Sequence, residues 1–169
     1  MNNIPEKEFL ARMEANRGIL IKVSRLYMDS REDQEDLIQE IVLRLWTNYQ
    51  QFEGKSSFST WMYRVAVNTA ITFLRKEKRQ PILVTETENL PELRADDHAS
   101  EQAQQMKIFY KAVQYLNSIE KALIFYFMEG LSHREIGSQL GITENNARVK
   151  LSRTKEKLQQ IIKQLGYES

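Results

Sequence analysis

The sequence predicts an all-α protein built as two small helical domains joined by a flexible acidic linker, and three observations carry that expectation. From Glu6 to Lys76 the apolar residues recur at helical spacing, with no strand-like alternation and no proline inside the periodic segments. From Pro81 to about Ser100 the periodicity lapses, and Pro, Thr, Asn and acidic residues take over. Periodicity resumes with Met106, so the first domain is placed at residues 1–80, the linker at 81–103 and the second domain at 104–169.

A chain of 169 residues with 41% hydrophobic content can bury one ordinary core or two small ones. It has no cysteine, so neither a disulfide framework nor a thiolate metal site is available. Only His98 and His133 could serve as imidazole ligands, and no metal or other cofactor is expected. No segment approaches the ~20 apolar residues that span a bilayer, so a soluble, cytoplasmic protein without direct membrane insertion is expected. The formal net charge of +1 conceals a segregated distribution. Cations collect at Arg75-Lys76-Glu77-Lys78-Arg79 and through Arg148, Lys150, Arg153, Lys155 and Lys157. In the stretch 81–101 between them, Glu86, Glu88, Glu92, Asp96, Asp97 and Glu101 face Arg94 alone. Two cationic surfaces thus flank an acidic strap, a pattern suited to nucleic acid at each end.

A first helix is expected from about Glu6 to Tyr27, with Phe9, Leu10, Met13, Ile19, Leu20 and Val23 inward and an interruption allowed near Gly18. A second starts between Ser30 and Asp33 and turns Leu37, Ile38, Ile41, Val42, Leu45 and Trp46 to one broad apolar face. On its other side Asp36, Gln39, Glu40 and Leu43 recur at spacings of three and four. Those residues alone leave two readings open: a docking rim, or a solvated face on which a Glu40–Arg44 pair contributes about 0.2–0.5 kcal/mol.

Asn48 to Ser57 reads as a loop, and a third helix runs from around Ser57 to Arg79, where Pro81 stops it. Phe58, Trp61, Met62, Tyr63, Val65, Val67, Ile71, Phe73 and Leu74 make that helix apolar over most of its circumference. The polar stripe left over is Arg64, Asn68, Thr72, Arg75 and Lys76, continuing into Lys78-Arg79. Asparagine can read a base edge, and arginine and lysine engage phosphates. Trp61 is expected in the core, whereas Tyr49 and Phe52 suit a buried role or stacking on unpaired bases equally well.

Beyond the linker, Met106, Phe109, Val113 and Leu116, then Ile119, Leu123, Ile124, Phe127 and Met128, mark two more helices. Ser132 followed by Glu135 is a capping-box pattern that opens a short helix burying Ile136 and Leu140. Gly141 allows a left-handed turn, and Thr143 caps a final helix. Its Ala147, Leu151 and Leu158 fall on an inward stripe, leaving Arg148, Lys150, Ser152, Arg153 and Lys155 on the outer faces. A cap, a glycine turn, a small residue where helices approach and a cluster of cations together describe a helix-turn-helix shaped for the DNA major groove. Nothing comparable supports catalysis. There is no glycine-rich phosphate loop and no context that activates a nucleophile, so an enzyme is not expected. A conventional DNA-binding regulator remains open from these residues alone.

The order Asp36-Leu37-Ile38-Gln39-Glu40-Ile41-Val42-Leu43-Arg44-Leu45-Trp46, then Phe58-Ser59-Thr60-Trp61-Met62-Tyr63-Arg64-Val65-Ala66-Val67-Asn68, then the helix-turn-helix, resembles a bacterial sigma factor of the extracytoplasmic-function group of the sigma-seventy family. The resemblance covers nearly the whole chain. It implies that Asp36, Gln39, Glu40, Leu43 and Arg44 dock on the beta-prime clamp helices of core RNA polymerase. It further implies that Tyr49, Phe52, Arg64, Asn68, Thr72, Arg75 and Lys76 hold and read the melted minus-ten element, with a flipped base entering a pocket formed by the loop. Ser132, Arg134, Asn145, Asn146, Arg148, Val149, Lys150, Ser152 and Arg153 would read the minus-thirty-five element. The beta flap and an anti-sigma factor are the further partners implied. Two departures stand out. Leu116-Asn117 replaces a frequent Leu-Pro pair, with Asn117 and Glu120 able to cap instead. Val149 stands where relatives often carry a hydroxyl, so contact with a thymine methyl is open.

Overall fold

The computed structural model describes residues 6–52, 54–79 and 100–166. Among them the chain is helical with connecting turns, and it divides into two compact units between Arg79 and Gln80. The first unit holds α1 (Glu6–Ala15), α2 (Arg17–Tyr27), α3 (Arg31–Asn48), a single 3-10 turn (Tyr49–Gln51) and α4 (Phe58–Arg79). The second holds α5 (Glu101–Val113), α6 (Ser118–Met128), α7 (His133–Leu140) and α8 (Glu144–Gln164). Most of the expected linker lies outside the described residues. Its last part does not: Ser100 caps α5 by accepting from the Ala103 amide at 3.2 Å, so residues 101–103 are helical.

In the first unit α2, α3 and α4 pack on one another. Val23, Leu26 and Tyr27 from α2, Leu37, Ile41 and Leu45 from α3, and Met62, Ala66, Val67 and Ala70 from α4 form the core. The i, i+4 rows 37-41-45 and 62-66-70 are the ridges that face inward, and the two alanines let α4 lie close to its neighbours. Polar groups taken inside are satisfied locally. The Ser24 hydroxyl donates to the Ile21 carbonyl at 2.9 Å and Thr69 to the Val65 carbonyl at 2.7 Å.

The expected first helix is two helices, and the break falls at Asn16 rather than Gly18. Asn16 Nδ2 donates to the Arg12 carbonyl at 2.8 Å, so the side chain competes for a backbone acceptor and the ladder restarts at α2. The apolar face of α3 is also narrower than its sequence suggests. Ile38 and Val42 are half-buried, while Trp46, like Leu10 of α1, is exposed.

In the second unit α8 runs against α5, α6 and α7. Its Ala147, Leu151, Thr154, Leu158 and Ile161 are buried, together with Tyr110, Leu123, Phe125, Tyr126 and Ile136. Two of the expected caps are complete capping boxes. Asn117 and Glu120 exchange two bonds of 2.9 Å, and Ser132 and Glu135 exchange bonds of 2.7 and 3.1 Å. Glu120 also receives Lys157 at 2.9 Å, which ties α6 to α8. Gly141 adopts φ +71° as the helix-turn-helix requires, and Thr143 accepts from the Asn146 amide at 3.1 Å. Leu140 is half-buried rather than buried.

A residue that sequence reasoning passed over sets how tightly the turn closes. A Cβ on Gly137 would lie 2.7 Å from the Ile142 carbonyl oxygen, and the Ile142 amide donates to the Gly137 carbonyl at 2.9 Å. Helix propensity favours alanine over glycine by about 1 kcal/mol. A clash with backbone costs typically 1–3 kcal/mol, and at this distance the upper end applies. Gly137→Ala is therefore expected to lower the thermal midpoint of the second unit. Gly18→Ala, where nothing lies within 4 Å, should leave the first unit unchanged or slightly more stable. Calorimetry showing both substitutions equally harmless would contradict this packing.

Candidate nucleic-acid interface

Three polar faces emerge from this packing. The first is the outer side of α3, set by the opposite side being locked into the core through Leu37, Ile41 and Leu45. Asp36, Gln39, Leu43 and Arg44 are exposed and Glu40 is partly so; Leu43 reaches 58% exposure. Arg44 Nε donates to Glu40 Oε1 at 3.3 Å, an exposed i, i+4 pair worth a few tenths of a kcal/mol. The structure adds a feature that sequence reasoning missed, because it placed every one of the apolar residues concerned except Leu43 in the core. Phe9, Leu10, Ile38, Val42, Leu43 and Trp46 line a groove of about 590 Å³ between α1 and α3, so the polar rim borders an open apolar slot.

At the end of α3 a cluster of six aromatic rings anchors the following loop. Tyr49 lies 5.0 Å from Phe9, 6.4 Å from Phe52, 6.1 Å from Phe58 and 6.2 Å from Trp61 between ring centroids, and Trp46 joins through Phe9 at 5.0 Å. Of the two readings open for Tyr49, the structure shows the buried one: at 4% exposure its ring is surrounded and is not presented to a base. Phe52 and Phe58 are half-buried, and so is Trp61, which the sequence placed wholly in the core. Over these rings lies Arg12, its guanidinium carbon 5.6 Å from the Phe52 and Phe58 centroids and 5.9 Å from that of Tyr49. Glu8 holds the same guanidinium at 2.8 Å. Sequence reasoning missed Arg12, because nothing local links position 12 to positions 49–58.

The second face is the stripe on α4. Arg64, Asn68, Thr72, Arg75 and Lys76 are all exposed, on the side opposite Met62, Ala66 and Ala70. The Thr72 hydroxyl donates to the Asn68 carbonyl at 3.0 Å, whereas the Asn68 amide group stands at the surface. Ser57 opens the helix by accepting from the Thr60 amide at 3.2 Å.

The third face belongs to α7 and α8. Arg134, Asn145, Asn146, Arg148, Val149, Lys150, Ser152 and Arg153 are exposed together. Ser132 is exposed as well, its hydroxyl accepting at the cap. Arg148 reaches Glu144 at 3.5 Å, an exposed i, i+4 pair worth a few tenths of a kcal/mol. Lys155, expected among the outward cations, is instead half-buried with Nζ 3.7 Å from the Phe127 ring centroid. The exposed Phe127 ring attracts it as a cation–π partner, which takes it off the outer face.

Both units match known families. Residues 13–80 match Sigma-70 region 2, and residues 107–158 match Sigma-70, region 4. The ECF RNA polymerase sigma factor SigX of Bacillus subtilis is 31% identical over 130 residues, covering 72% of this chain and 67% of that protein. The ECF RNA polymerase sigma-E factor of Haemophilus influenzae is 27% identical over 147 residues, covering 80% and 78%. SigG of Mycobacterium tuberculosis is 41% identical over 75 residues, which is 44% of this chain and only 20% of that longer protein. Among solved structures, the fold matches sigma factor RpoE, crystallised with the anti-sigma factor NepR from Bartonella quintana. That match has a TM-score of 0.70 at 19% identity over 93% of this chain and 98% of RpoE. CnrH, solved in complex with the cytosolic domain of CnrY, matches with a TM-score of 0.67 at 14% identity over 95% and 90%. The chain belongs to the extracytoplasmic-function sigma factors of the sigma-70 family.

The Arg12 contact yields a direct test. A cation over aromatic faces contributes about 0.5–2 kcal/mol depending on desolvation, and an exposed ion pair about 0–1 kcal/mol. Arg12→Ala is expected to destabilise the first unit by about 1–2 kcal/mol, and Glu8→Ala by less than about 0.5 kcal/mol. Denaturant unfolding followed by tryptophan fluorescence measures both, and equal small losses would show that Arg12 only pairs with Glu8.

Proposed function

We propose that this chain is a dissociable promoter-specificity subunit that binds core RNA polymerase and directs initiation at a particular set of promoters. The observation that carries the reading is the exposed stripe Arg64, Asn68, Thr72, Arg75 and Lys76 on a helix whose other sides are apolar. It stands in a unit that also turns the α3 rim outward and is followed by a helix-turn-helix unit.

The α3 rim and its apolar slot dock on the beta-prime clamp helices, with Leu43 and the groove supplying apolar contact and Asp36, Gln39, Glu40 and Arg44 the polar rim. The α4 stripe tracks the backbone of the melted minus-ten strand through its cations, while Asn68 reaches a base edge. Phe52, on the open edge of the aromatic cluster, offers a π-face for an unpaired base, and Tyr49 holds that cluster from beneath. Capturing unpaired bases favours the open strand, so this mechanism opens DNA by binding and makes no covalent bond. The α7–α8 unit seats α8 in the major groove of the minus-thirty-five element and contacts the beta flap. This work takes place inside the cell, where the polymerase is. Because sigma factor RpoE, one of the solved neighbours, was captured with an anti-sigma factor, we extend to this chain a state in which such a protein covers its polymerase- and DNA-binding faces.

Run-off transcription from a promoter library, using core polymerase with and without the protein, tests the proposal. Transcripts that appear only with the protein and share two upstream elements are the expected result. Duplex DNA binding without any complex with core polymerase would place the chain among ordinary regulators instead.

A further inference from the structure

Val149 stands on the outward side of α8. At about 100° per residue it lies about 200° round the helix from Ala147, opposite the buried stripe of Ala147, Leu151, Thr154 and Leu158. Its neighbours one turn away on the same side are Asn145, Asn146, Ser152 and Arg153, all exposed and polar. Val149 is 38% exposed and is the one apolar side chain on that face among the described residues. A β-branched residue there packs against no core and is a weaker helix former than the residues around many surface positions. Single exposed hydrophobes are ordinary on protein surfaces. In the α8 docking proposed above this one faces the groove, flanked by Arg148 and Lys150, whose cations can hold the helix against the phosphates.

The major groove presents donors and acceptors on every base edge, and one apolar group, the 5-methyl of thymine. Valine can pair with no donor or acceptor, and leaving those edges dry would cost affinity. We propose that Val149 selects a thymine in the minus-thirty-five element by packing its γ-methyls against the 5-methyl group. The inference rests on the promoter-reading function proposed above and adds to it the base and the atom that one residue reads.

The test uses holoenzyme formed from core polymerase and the full chain, on a promoter selected from the library. Each thymine of the upstream element is replaced singly by deoxyuridine, which removes the methyl and leaves every hydrogen-bonding edge unchanged. For the wild-type factor, promoter-complex formation is expected to fall about fourfold at one position, which is ~0.8 kcal/mol for a buried methyl converted at about 1.4 kcal/mol per tenfold. With Val149→Ser, deoxyuridine and thymine at that position should be equivalent, while initiation from the promoter continues at a reduced level. Since Val149 lies outside the core, this variant is expected to match the wild type in thermal stability. The inference is overturned by an upstream element containing no thymine, by indifference to deoxyuridine at every position, or by a Val149→Ser factor as sensitive as the wild type. A wild-type protein that yields no promoter-directed transcript at all would instead remove the underlying function, and with it this role of Val149.

Discussion

The seam between α3 and α4 is the constraint on which the first unit depends. Leu37, Ile41 and Leu45 meet Met62, Ala66, Val67 and Ala70 in a fully buried interface shared with α2. Because each helix commits one side to that seam, its other side is fixed in direction. The α3 rim and the α4 stripe are thus held in a constant relation by apolar packing and not by any polar contact between them. Rigid helices position interacting groups better than loops do, and here both faces ride on helices of about five or six turns. In the second unit α8 carries both duties alone, with Ala147, Leu151 and Thr154 inward and the exposed Asn145 to Arg153 side outward.

The aromatic cluster extends this logic to the segment between α3 and α4, whose 3-10 turn Tyr49–Gln51 is too short to present a packed face of its own. The chain between α3 and α4 is anchored by Tyr49, Phe52 and Phe58, with Phe9 bridging from α1 to both Tyr49 and Trp46. Trp46 also lines the apolar groove beside the α3 rim. The surface assigned to polymerase docking and the loop assigned to the melted strand therefore share ring contacts, and Arg12 closes the cluster from above.

The features legible in the sequence are those decided by local geometry. Caps at Asn117, Ser132 and Thr143 depend on hydrogen bonds three residues away, and all three form. Helix extents follow from a period that any core must respect, and the cationic stripe on α4 follows from what that period leaves over. What escaped was decided by distant neighbours. Leu10 and Trp46 fit an inward pattern, yet no helix among the described residues covers them. Arg12 meets rings some forty positions later, and the need for glycine at position 137 arises only once the turn brings Ile142 back onto it. Lys155 reads as a DNA-side cation until Phe127 is placed beside it. The polar residues expected on the α3 rim, the α4 stripe and α8 were legible as surface sets, because exposure opposite a core stripe is a periodic property, whereas the burial of Tyr49 depended on rings brought in from α1 and α4.

The measurement that tests the central claim most directly is the affinity of the chain for core RNA polymerase, titrated for the wild type, Leu43→Asp and Asn68→Ala. Two separate faces on one rigid unit predict that a charge at Leu43 in the apolar slot weakens binding at least tenfold, while loss of the Asn68 amide changes it less than twofold. Equal effects of the two substitutions, or a larger effect at Asn68, would contradict the assignment of docking to α3 and DNA reading to α4.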